Sequence, residues 1–442
     1  MSEAVTVIGA GLAGSEAAWQ AAEAGCEVVL YEMRPNKMTP AHRSAYFGEL
    51  VCSNSFGSKL PDRATGMLKA EMEALGSIVV KIAEAHSVPA GGALAVDREG
   101  YGNALTRVIE EHPKIEVRYA EAERLPDTGI VVVASGPLTS EKLAGEIQKL
   151  TGEDYLYFFD ALSPIVEADS INMDICFRAS RHGESDGAGD YLNCPMDRNE
   201  YLAFVAALHD AERIELKDFE KSEDLFFEGC LPIEVIAERG EKALAYGPMR
   251  PVGLDDPRTG RWPYAVVQLR QDNAAGSLYN LVGFQTNIKW GEQERILRMI
   301  PGLKDADFVR FGQMHRNTFI NAPRLLMPTM EMKQRTGLFF AGQIVGVEGY
   351  MGNAASGLLA GKNAAARVRG ETLLELPRET MLGALAWYVS HAEVGHFQPM
   401  KANFGIMPSL NPHVRNKRAR YQAYVQRGQE FLKCHVYGRG ES

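Results

Sequence analysis

Apolar and polar positions at the start of the chain predict a strand, a helix and a second strand in quick succession. Residues 5–8 form a short apolar run, residues 15–24 favour a helix, and residues 26–31 form a second apolar run that leads to Glu32. The residues between the first run and the helix read Gly-Ala-Gly-Leu-Ala-Gly. This order is typical of the βα turn of a dinucleotide-binding fold.

The three glycines of this turn have different steric roles. Gly9 permits the tight turn, Gly11 lets the backbone approach a pyrophosphate, and Gly14 lets the helix pack closely on the strand. The N-terminus of the helix offers N–H groups to phosphates. The carboxylate of Glu32 can accept hydrogen bonds from a ribose. The segment therefore predicts a bound dinucleotide.

Later segments predict further strands of the same fold, with a different domain between them. Residues 127–137 contain a buried strand of branched residues, and residues 337–343 form a strand that ends in a glycine turn before a helix of small residues at 354–366. Between these segments, residues 198–211 have a helical pattern and residues 263–288 read as a β-hairpin. The chain therefore alternates between two kinds of structure.

We predict an α/β protein in which a discontinuous Rossmann-like domain carries an inserted α+β domain. Its first part covers residues 1–160, and the inserted domain, which binds the substrate, covers residues 161–314. The second part, with a basic C-terminal helical region, covers residues 315–442. One helical segment is expected at about residues 66–85.

Composition restricts the class of protein. The chain has 442 residues and a net charge of −10, which argues against a generally basic nucleic-acid-binding protein. It has no apolar run long enough to span a bilayer, and its first apolar run belongs to the first strand rather than to a signal peptide. Six cysteines show no metal-ligand spacing. These features predict a cytoplasmic protein with free thiols and no metal site.

Two cysteines stand out by their context. Cys52 lies in a polar loop, and Cys230 lies between a glycine and a Leu-Pro pair, two residues after a carboxylate. A nucleophilic cysteine has to be partly exposed and held as a thiolate by positive charge or a helix dipole. An inert buried thiol is the alternative for each. Cys194 is a weaker candidate, and the other cysteines read as structural.

Charged residues elsewhere could form a site or simply lie in solvent. His315 and Arg316 occur in a polar segment just before the chain returns to the first domain, which favours a site there over a surface loop. Arg250, Arg270 and Lys289 could line a cleft, although an exposed salt bridge is the better interpretation of each. A basic stretch near the C-terminus, interleaved with tyrosines, reads equally well as a solvated helix face or a phosphate contact.

Several strings together resemble one known family over essentially the whole chain. They include Glu-Met-Arg-Pro at 32–35, Val-Cys-Ser-Asn-Ser at 51–55, Tyr-Leu-Asn-Cys-Pro-Met at 191–196, Phe-Glu-Gly-Cys-Leu-Pro at 227–232 and Met-His-Arg-Asn-Thr at 314–318. The chain is similar to TrmFO, the bacterial folate- and FAD-dependent tRNA (uracil-5-)-methyltransferases, which are related to the GidA/MnmG flavoproteins.

The resemblance implies an FAD-binding domain and a reaction. A one-carbon unit passes from 5,10-methylenetetrahydrofolate to C5 of the T-loop uridine of tRNA, position 54, giving 5-methyluridine. Reduced flavin supplies electrons, and NAD(P)H reduces it again. The cysteine matching Cys230 is the favoured nucleophile at C6, and the one matching Cys52 is the second functional thiol. The FAD contacts implied are Gly9, Ala10, Gly11, Ala13, Gly14, Glu32, Met33, Arg34, Gly342 and Gln343.

The resemblance also implies a tRNA-binding surface that contacts the T-arm, for which the candidate residues are His315, Arg316, Arg415, Lys417, Arg418 and Arg420. Three alternatives stay open at this point. One is an MnmG-like protein that modifies the wobble uridine, and another is an NAD(P)H:FAD oxidoreductase acting on a small molecule. The third is a non-catalytic tRNA-binding flavoprotein. The sequence leaves the oligomeric state, the preferred nicotinamide and the folate contacts open.

Overall fold

The computed structural model describes residues 4–152, 156–161, 163–181, 189–214, 231–312, 314–412 and 414–436. For residues 156–161, 314–317, 396, 435 and 436 it describes the backbone. The strands are β1 (Val5–Ile8), β2 (Val28–Glu32), β3 (Ser55–Ser58), β4 (Ser87–Val88), β5 (Ala93–Val96), β6 (Ile115–Tyr119), β7 (Ile130–Val133), β8 (Leu156–Ala161), β9 (Ile165–Glu167), β10 (Phe177–Ala179), β11 (Tyr191–Met196), β12 (Ala265–Gln271), β13 (Leu278–Leu281), β14 (Phe308–Arg310), β15 (Met314–Phe319), β16 (Leu338–Phe340), β17 (Val347–Glu348) and β18 (Met400–Lys401).

The helices alternate with these strands along the chain. They are α1 (Leu12–Glu23), α2 (Ala64–Ala74), α3 (Ile78–Ala85), α4 (Arg98–Glu110), α5 (Glu141–Thr151), α6 (Arg198–His209), α7 (Ile233–Glu238), α8 (Ala243–Tyr246), α9 (Trp290–Leu297), α10 (Ala322–Leu325), α11 (Tyr350–Arg369), α12 (Met381–His391) and α13 (Lys417–Val436).

A parallel five-stranded sheet of order β16-β7-β1-β2-β6 forms the first layer. Val5 of β1 pairs with Val28 of β2 on one side and with Ile130 of β7 on the other. Strands β1, β2 and β7 are largely buried, as expected of parallel strands covered on both faces. The α/β class and the Rossmann-like sheet predicted from the sequence are confirmed.

Helices α1 and α11 pack directly against each other beside this sheet. A Cβ atom at Gly357 would lie 2.1 Å from the carbonyl oxygen of Ala13, and one at Gly361 would lie 2.4 Å from that of Ala17. The small residues predicted at 354–366 therefore lie in α11 and allow the backbones of α1 and α11 to approach each other without large side chains between them.

The inserted part contains a six-stranded antiparallel sheet of order β10-β11-β12-β13-β9-β14. Strands β12 and β13 form the predicted hairpin, with Leu269 opposite Leu281. This sheet has its own apolar core, built from buried residues between 166 and 306. The first core takes its residues from 5–147 and 319–432.

The predicted domain boundaries fall within two strands that pair with each other. Residue 160 lies in β8 and residue 314 begins β15, and these strands form a two-stranded antiparallel ribbon. The chain therefore enters and leaves the inserted part along adjacent strands. The boundaries themselves stay a prediction.

The helical segment predicted at about 66–85 is helical in the structure, where it is divided into two helices, α2 and α3. Helix α2 ends at Ala74, and Gly76 takes a φ of 83°, which an α-helix does not accommodate. The side chain of Ser77 then accepts a hydrogen bond from the Val80 N–H and caps α3. The turn signal was present in the sequence, but the helical pattern on both sides obscured it.

Candidate cofactor cleft and thiol site

A cleft with an empty volume of about 1220 Å³, including its open mouth, lies at the carboxyl ends of β1, β2 and β7. Ligands of open parallel sheets bind at this edge. Of the ten predicted cofactor residues, eight line the cleft, and Ala10 and Gly14 do not. Those that line it are Gly9, Gly11, Ala13, Glu32, Met33, Arg34, Gly342 and Gln343.

The glycine turn is shaped by contacts that exclude side chains. Gly9 has a φ of 97°, and a Cβ atom there would lie 2.6 Å from the carbonyl oxygen of Ala134. A Cβ atom at Gly14 would lie 1.7 Å from the carbonyl oxygen of Gly9. A Cβ atom at Gly11 would meet nothing within 4 Å, so this backbone faces open space. The turn therefore packs tightly on the protein at Gly9 and Gly14, and its backbone at Gly11 is accessible from the cleft.

Helix α1 presents its N-terminus at this turn. Its N-cap residue is Gly11, no side chain caps it, and its first turn contains no acidic residue. The first N–H groups of a helix lack intrahelical partners and carry positive dipole density. This arrangement favours an anionic ligand in the cleft beside Gly11.

The carboxylate of Glu32 lies at the end of β2 among four donors. Its Oε2 accepts hydrogen bonds from the Ala10 N–H at 3.0 Å and from Arg34 Nη2 at 3.2 Å. Its Oε1 accepts from the backbone N–H and Nε of Arg34, both at 2.9 Å. Burial alone would raise the pKa of Glu32, but Arg34 and Ala10 together lower it. A ribose would have to share this ionised carboxylate with Arg34, which the sequence did not indicate.

The far side of the cleft comes from the later part of the chain. Gly342 follows β16 with a φ of 86°, and its N–H donates to Ser356 Oγ at 2.8 Å. Gln343 Nε2 donates to Glu348 Oε1 at 2.8 Å. Tyr350 begins α11 and also lines the cleft. Segments about 330 residues apart in sequence therefore build one cleft.

Tyr350 links this cleft to Cys52. Its hydroxyl oxygen accepts hydrogen bonds from the backbone N–H groups of Cys52 at 2.8 Å and Ser53 at 3.2 Å. Val51, next to the cysteine, lines the cleft as well. Burial, and secondarily the interaction with Cys52, raises the pKa of Tyr350 well above that of an ordinary tyrosine. The neutral hydroxyl therefore fixes the backbone of a half-buried thiol at the edge of the cleft.

Two arginines hold the carbonyl groups of the same loop. Arg310 donates to Val51 O at 3.3 Å, to Cys52 O at 3.3 Å and to Ser163 O at 3.1 Å. Arg98 donates to Leu50 O, and its Nε donates to Asp272 Oδ2 at 2.8 Å. Burial and the neighbouring Arg98 lower the pKa of Arg310 to about 10. Both guanidinium groups interact electrostatically with Cys52.

A buried polar network continues from this loop into the inserted sheet. Arg270 Nε donates to Asn54 Oδ1 at 3.0 Å, and Asn280 Nδ2 donates to Asp272 Oδ1 at 2.9 Å. Interpreting Arg270 as an exposed salt bridge is therefore wrong, because its side chain is buried at this junction. Lys289 does pair with Glu212 in solvent, at 2.9 Å, and Arg250 is exposed.

Four further predicted site residues belong to the inserted part or to the ribbon that leads out of it. Cys230 lies outside the described residues. His315 and Arg316 lie on β15, where the backbone pairs with Asp160 and Phe159 of β8. They therefore sit on the ribbon between the two parts of the chain. Cys194 is fully buried in the inserted sheet.

The basic C-terminal cluster surrounds an aromatic group. Arg415, Lys417 and Arg418 are exposed, and Arg420 is half-buried. Tyr421 and Tyr424 pack on Phe404, with ring centroids 4.6 and 5.3 Å away. The interleaved tyrosines thus anchor α13 to the protein, while the cations remain on its outer side.

The described residues form neither a metal site nor a membrane-spanning helix. Across the described ranges, no three His, Cys, Asp or Glu side chains come together in a way that could hold a metal ion. None of the helices in the described part of the chain is long and apolar enough to cross a bilayer.

Comparisons with known proteins agree on one group. The model of the family described as "Glucose inhibited division protein A" matches residues 4–372. The chain is 57% identical to the methylenetetrahydrofolate–tRNA-(uracil-5-)-methyltransferase TrmFO of Desulforamulus reducens, covering 97% of this chain and 96% of that protein. It is 56% identical to the TrmFO of Enterococcus faecalis, covering 97% of each.

Among solved structures, the fold resembles that of GidA from Aquifex aeolicus. The TM-score is 0.72 at 17% sequence identity, and the match covers 98% of this chain and 73% of the GidA chain. At this identity the comparison supports a common fold.

Proposed function

Since the chain belongs to the TrmFO family of methylenetetrahydrofolate–tRNA-(uracil-5-)-methyltransferases, we propose that its cleft and Cys52 loop form the centre of that reaction. The one-carbon unit of 5,10-methylenetetrahydrofolate is transferred to C5 of uridine 54 in the T-loop of tRNA. The observation that carries this assignment is the Tyr350 side chain, which lines the cleft and binds the backbone of Cys52. This contact holds the backbone of Cys52 beside the cleft, which supports a role for its thiol in the reaction.

The residues of the cleft fit FAD. The open backbone at Gly11 and the uncapped N-terminus of α1 suit a pyrophosphate. Glu32 and Arg34 would meet the ribose, and Gly342 and Gln343 would lie toward the other end of the cofactor. When bound and reduced, FAD supplies the electrons that convert the transferred carbon to a methyl group, and NAD(P)H is the proposed source of those electrons.

The proposed chemistry of the uracil needs two groups from the protein. C5 of uracil becomes nucleophilic only after a thiolate adds to C6, and Cys230 is assigned this role from the family resemblance. The C5 proton must then be removed, and Cys52 is assigned as the base. Arg98 and Arg310 would hold the loop of that base in place, since their guanidinium groups donate to its backbone carbonyl oxygens.

The proposed tRNA-binding surface would contribute electrostatic affinity for the phosphate backbone and would not recognise the base sequence. Arg415, Lys417 and Arg418 are exposed on and just before α13, so they can contact phosphates. The target base has to leave its stack to reach the cleft.

The wobble-uridine alternative has less support. The TrmFO relatives match this chain over 96–97% of their own lengths. The GidA structure matches at 17% identity, which supports a common fold and carries no information on the uridine that is modified. A small-molecule reductase has no need for a cysteine loop whose backbone is bound by Tyr350, Arg98 and Arg310.

Methyl transfer from labelled folate tests the proposed function. Unmodified tRNA, 5,10-methylenetetrahydrofolate labelled in its one-carbon unit and NAD(P)H are incubated with the purified flavin-loaded protein. We expect label in the T-loop as 5-methyluridine, and a loss of about 100-fold or more in both Cys52→Ala and Cys230→Ala. Cys434→Ala, which changes an exposed thiol near the end of α13, serves as the control and should keep full activity.

The possible failures of this experiment have different meanings. Oxidation of NAD(P)H by the wild-type protein without label in tRNA would reject methyl transfer and favour a flavin reductase. Full transfer by Cys52→Ala would reject only the role of Cys52 and would leave the proposed reaction standing. Full transfer by Cys230→Ala would reject the assignment taken from the resemblance.

Tyr350→Phe is expected to lower kcat for methyl transfer about tenfold while KM for tRNA and flavin content stay nearly constant. The variant removes the oxygen that binds two backbone N–H groups, and an unpaired buried N–H costs about 1–3 kcal/mol. Tyr350 therefore acts as a positioning residue for Cys52. Steady-state kinetics and flavin absorbance measure the effect, and the rate of Cys52 alkylation should change because the backbone of this residue is no longer held.

Tyr388→Phe is the matched control, because its hydroxyl donates one hydrogen bond, at 2.8 Å, to Gln398 O. This substitution should leave kcat and the rate of Cys52 alkylation unchanged. Equal kinetic losses in both variants would show that Tyr350 contributes only to general stability.

A further inference from the structure

Two buried thiols that the proposed reaction does not use lie side by side in the inserted sheet. The Sγ atoms of Cys176 and Cys194 are 3.3 Å apart. Cys194 belongs to β11, and Cys176 directly precedes β10. Since Phe177 pairs with Asn193 in antiparallel register, Cys176 and Cys194 are the next directly opposed pair. Strand pairing brings them together, although their spacing of 18 residues in sequence matches no cysteine motif.

The surroundings distinguish the two sulfur atoms. Cys194 is 0% exposed, whereas Cys176 is 4% exposed. A short turn covers Cys176: a Cβ atom at Gly302 would lie 2.2 Å from its Sγ, and the carbonyl oxygen of Pro301 lies 4.0 Å from it. Local opening of this turn would expose Cys176 before Cys194. Cys176 is therefore the sulfur that a small oxidant meets first.

We propose that Cys176 and Cys194 form a reversible redox-modification site, at which a disulfide oxidant such as oxidised glutathione converts the two thiols to one intramolecular disulfide. The chemistry balances in two exchanges. The Cys176 thiolate attacks the oxidant, forms a mixed disulfide and releases one glutathione thiolate. The Cys194 thiolate then attacks Cys176 Sγ and releases the second glutathione. The two protein thiols lose two electrons and two protons, and the oxidant becomes two reduced glutathione molecules.

The geometry suits the second exchange. Directly opposed residues of antiparallel strands have Cβ atoms roughly 4.5–5.5 Å apart, and a disulfide requires roughly 3.5–4.5 Å. The sulfur atoms must approach by about 1.2 Å from their present separation to reach a bond of about 2.05 Å. A modest strand adjustment and a side-chain rotation therefore suffice.

Two contacts of Cys176 within this apolar core assist the first exchange. The hydrogen bond between the two thiols lowers the pKa of Cys176 against the opposing effect of burial, and Arg258 contributes in the same direction. The same hydrogen bond raises the pKa of Cys194. The more accessible sulfur is thus also the better attacking group.

Peptide mapping of the oxidised full-length protein tests the proposal. The native protein is treated with oxidised glutathione, its remaining thiols are blocked with iodoacetamide, and it is digested with trypsin without reduction. Because Arg178 and Arg181 separate the two cysteines, trypsin places them on different peptides. We expect a Cys176–Cys194 linked pair that disappears when the protein is reduced with dithiothreitol before blocking.

Two controls keep the experiment decisive. Cys26 is also 4% exposed, so it reports on oxidation that follows from local opening alone, and it should stay a thiol. In Cys194→Ala, Cys176 should stop at a persistent glutathione adduct, because the resolving thiol is gone. Survival of both thiols, or oxidation of Cys176 at the same rate as Cys26 without the linked pair, would overturn the proposal.

Discussion

Gly14→Ala is expected to destabilise the protein by roughly 3 kcal/mol or more and to abolish flavin retention. The added methyl group would lie 1.7 Å from the carbonyl oxygen of Gly9, which no rotamer change can relieve. Either α1 moves away from the sheet or the turn at Gly9 shifts, and both movements distort the backbone that faces the cleft. Chemical denaturation and flavin absorbance after gel filtration measure the two effects.

The chain offers a matched substitution for comparison. Gly145 also lies within a helix, α5, and a Cβ atom there would meet nothing within 4 Å. Gly145→Ala should stabilise the protein by about 0.5–1 kcal/mol, since alanine favours a helix over glycine. If Gly14→Ala retained flavin as well as Gly145→Ala does, the close contact between helix and strand would not be required for binding.

Arg98→Met is expected to cost about 3–5 kcal/mol of unfolding free energy and most of the methyl-transfer activity. The change leaves the carboxylate of Asp272, which is 3% exposed, without its guanidinium partner. It also removes the donor that binds Leu50 O beside the Cys52 loop. Because Arg98 begins α4 and Asp272 follows β12, the loss also weakens the contact between the two parts of the chain.

An exposed ion pair provides the comparison for Arg98. Arg295 binds Glu292 at 2.6 Å, but their side chains are 50% and 28% exposed. Arg295→Met should change the unfolding free energy by about 1 kcal/mol or less, because solvent screens such pairs. Equal effects from both substitutions, measured by urea denaturation, would contradict the structural role given to the buried pair.

The sequence predicted the parts of the fold that depend on local patterns. Apolar spacing and the positions of the glycines predicted the strand, the turn and the helix at residues 5–23. Two apolar runs separated by a polar turn predicted the hairpin of β12 and β13. The break between α2 and α3 was missed, because Gly76 stands between two segments that each have a helical pattern. The glycine and the N-capping serine between them were a local signal for a break, but the helical patterns on both sides obscured it.

The site was predicted less completely than the fold. The glycines of the cofactor turn and Cys52 stood out by their neighbours in sequence. Tyr350 and Arg310 did not, because each meets Cys52 across more than 250 residues of sequence. Single-sequence patterns do not report such contacts. The resemblance to a family assigned roles to two thiols, which stay a prediction, and the groups that bind the backbone around Cys52 became visible only in three dimensions.

The order of strands in the parallel sheet has a consequence for synthesis on the ribosome. Four strands, β1, β2, β6 and β7, are complete once residue 133 has been made, whereas the edge strand β16 ends at residue 340. The antiparallel sheet between them is finished first, with β14 at residues 308–310. The nascent nucleotide-binding half must therefore wait, with one strand edge unpaired, while the inserted half is translated and folds. The wall of the cleft that contains Gly342 and Gln343 is consequently among its last parts to be synthesised.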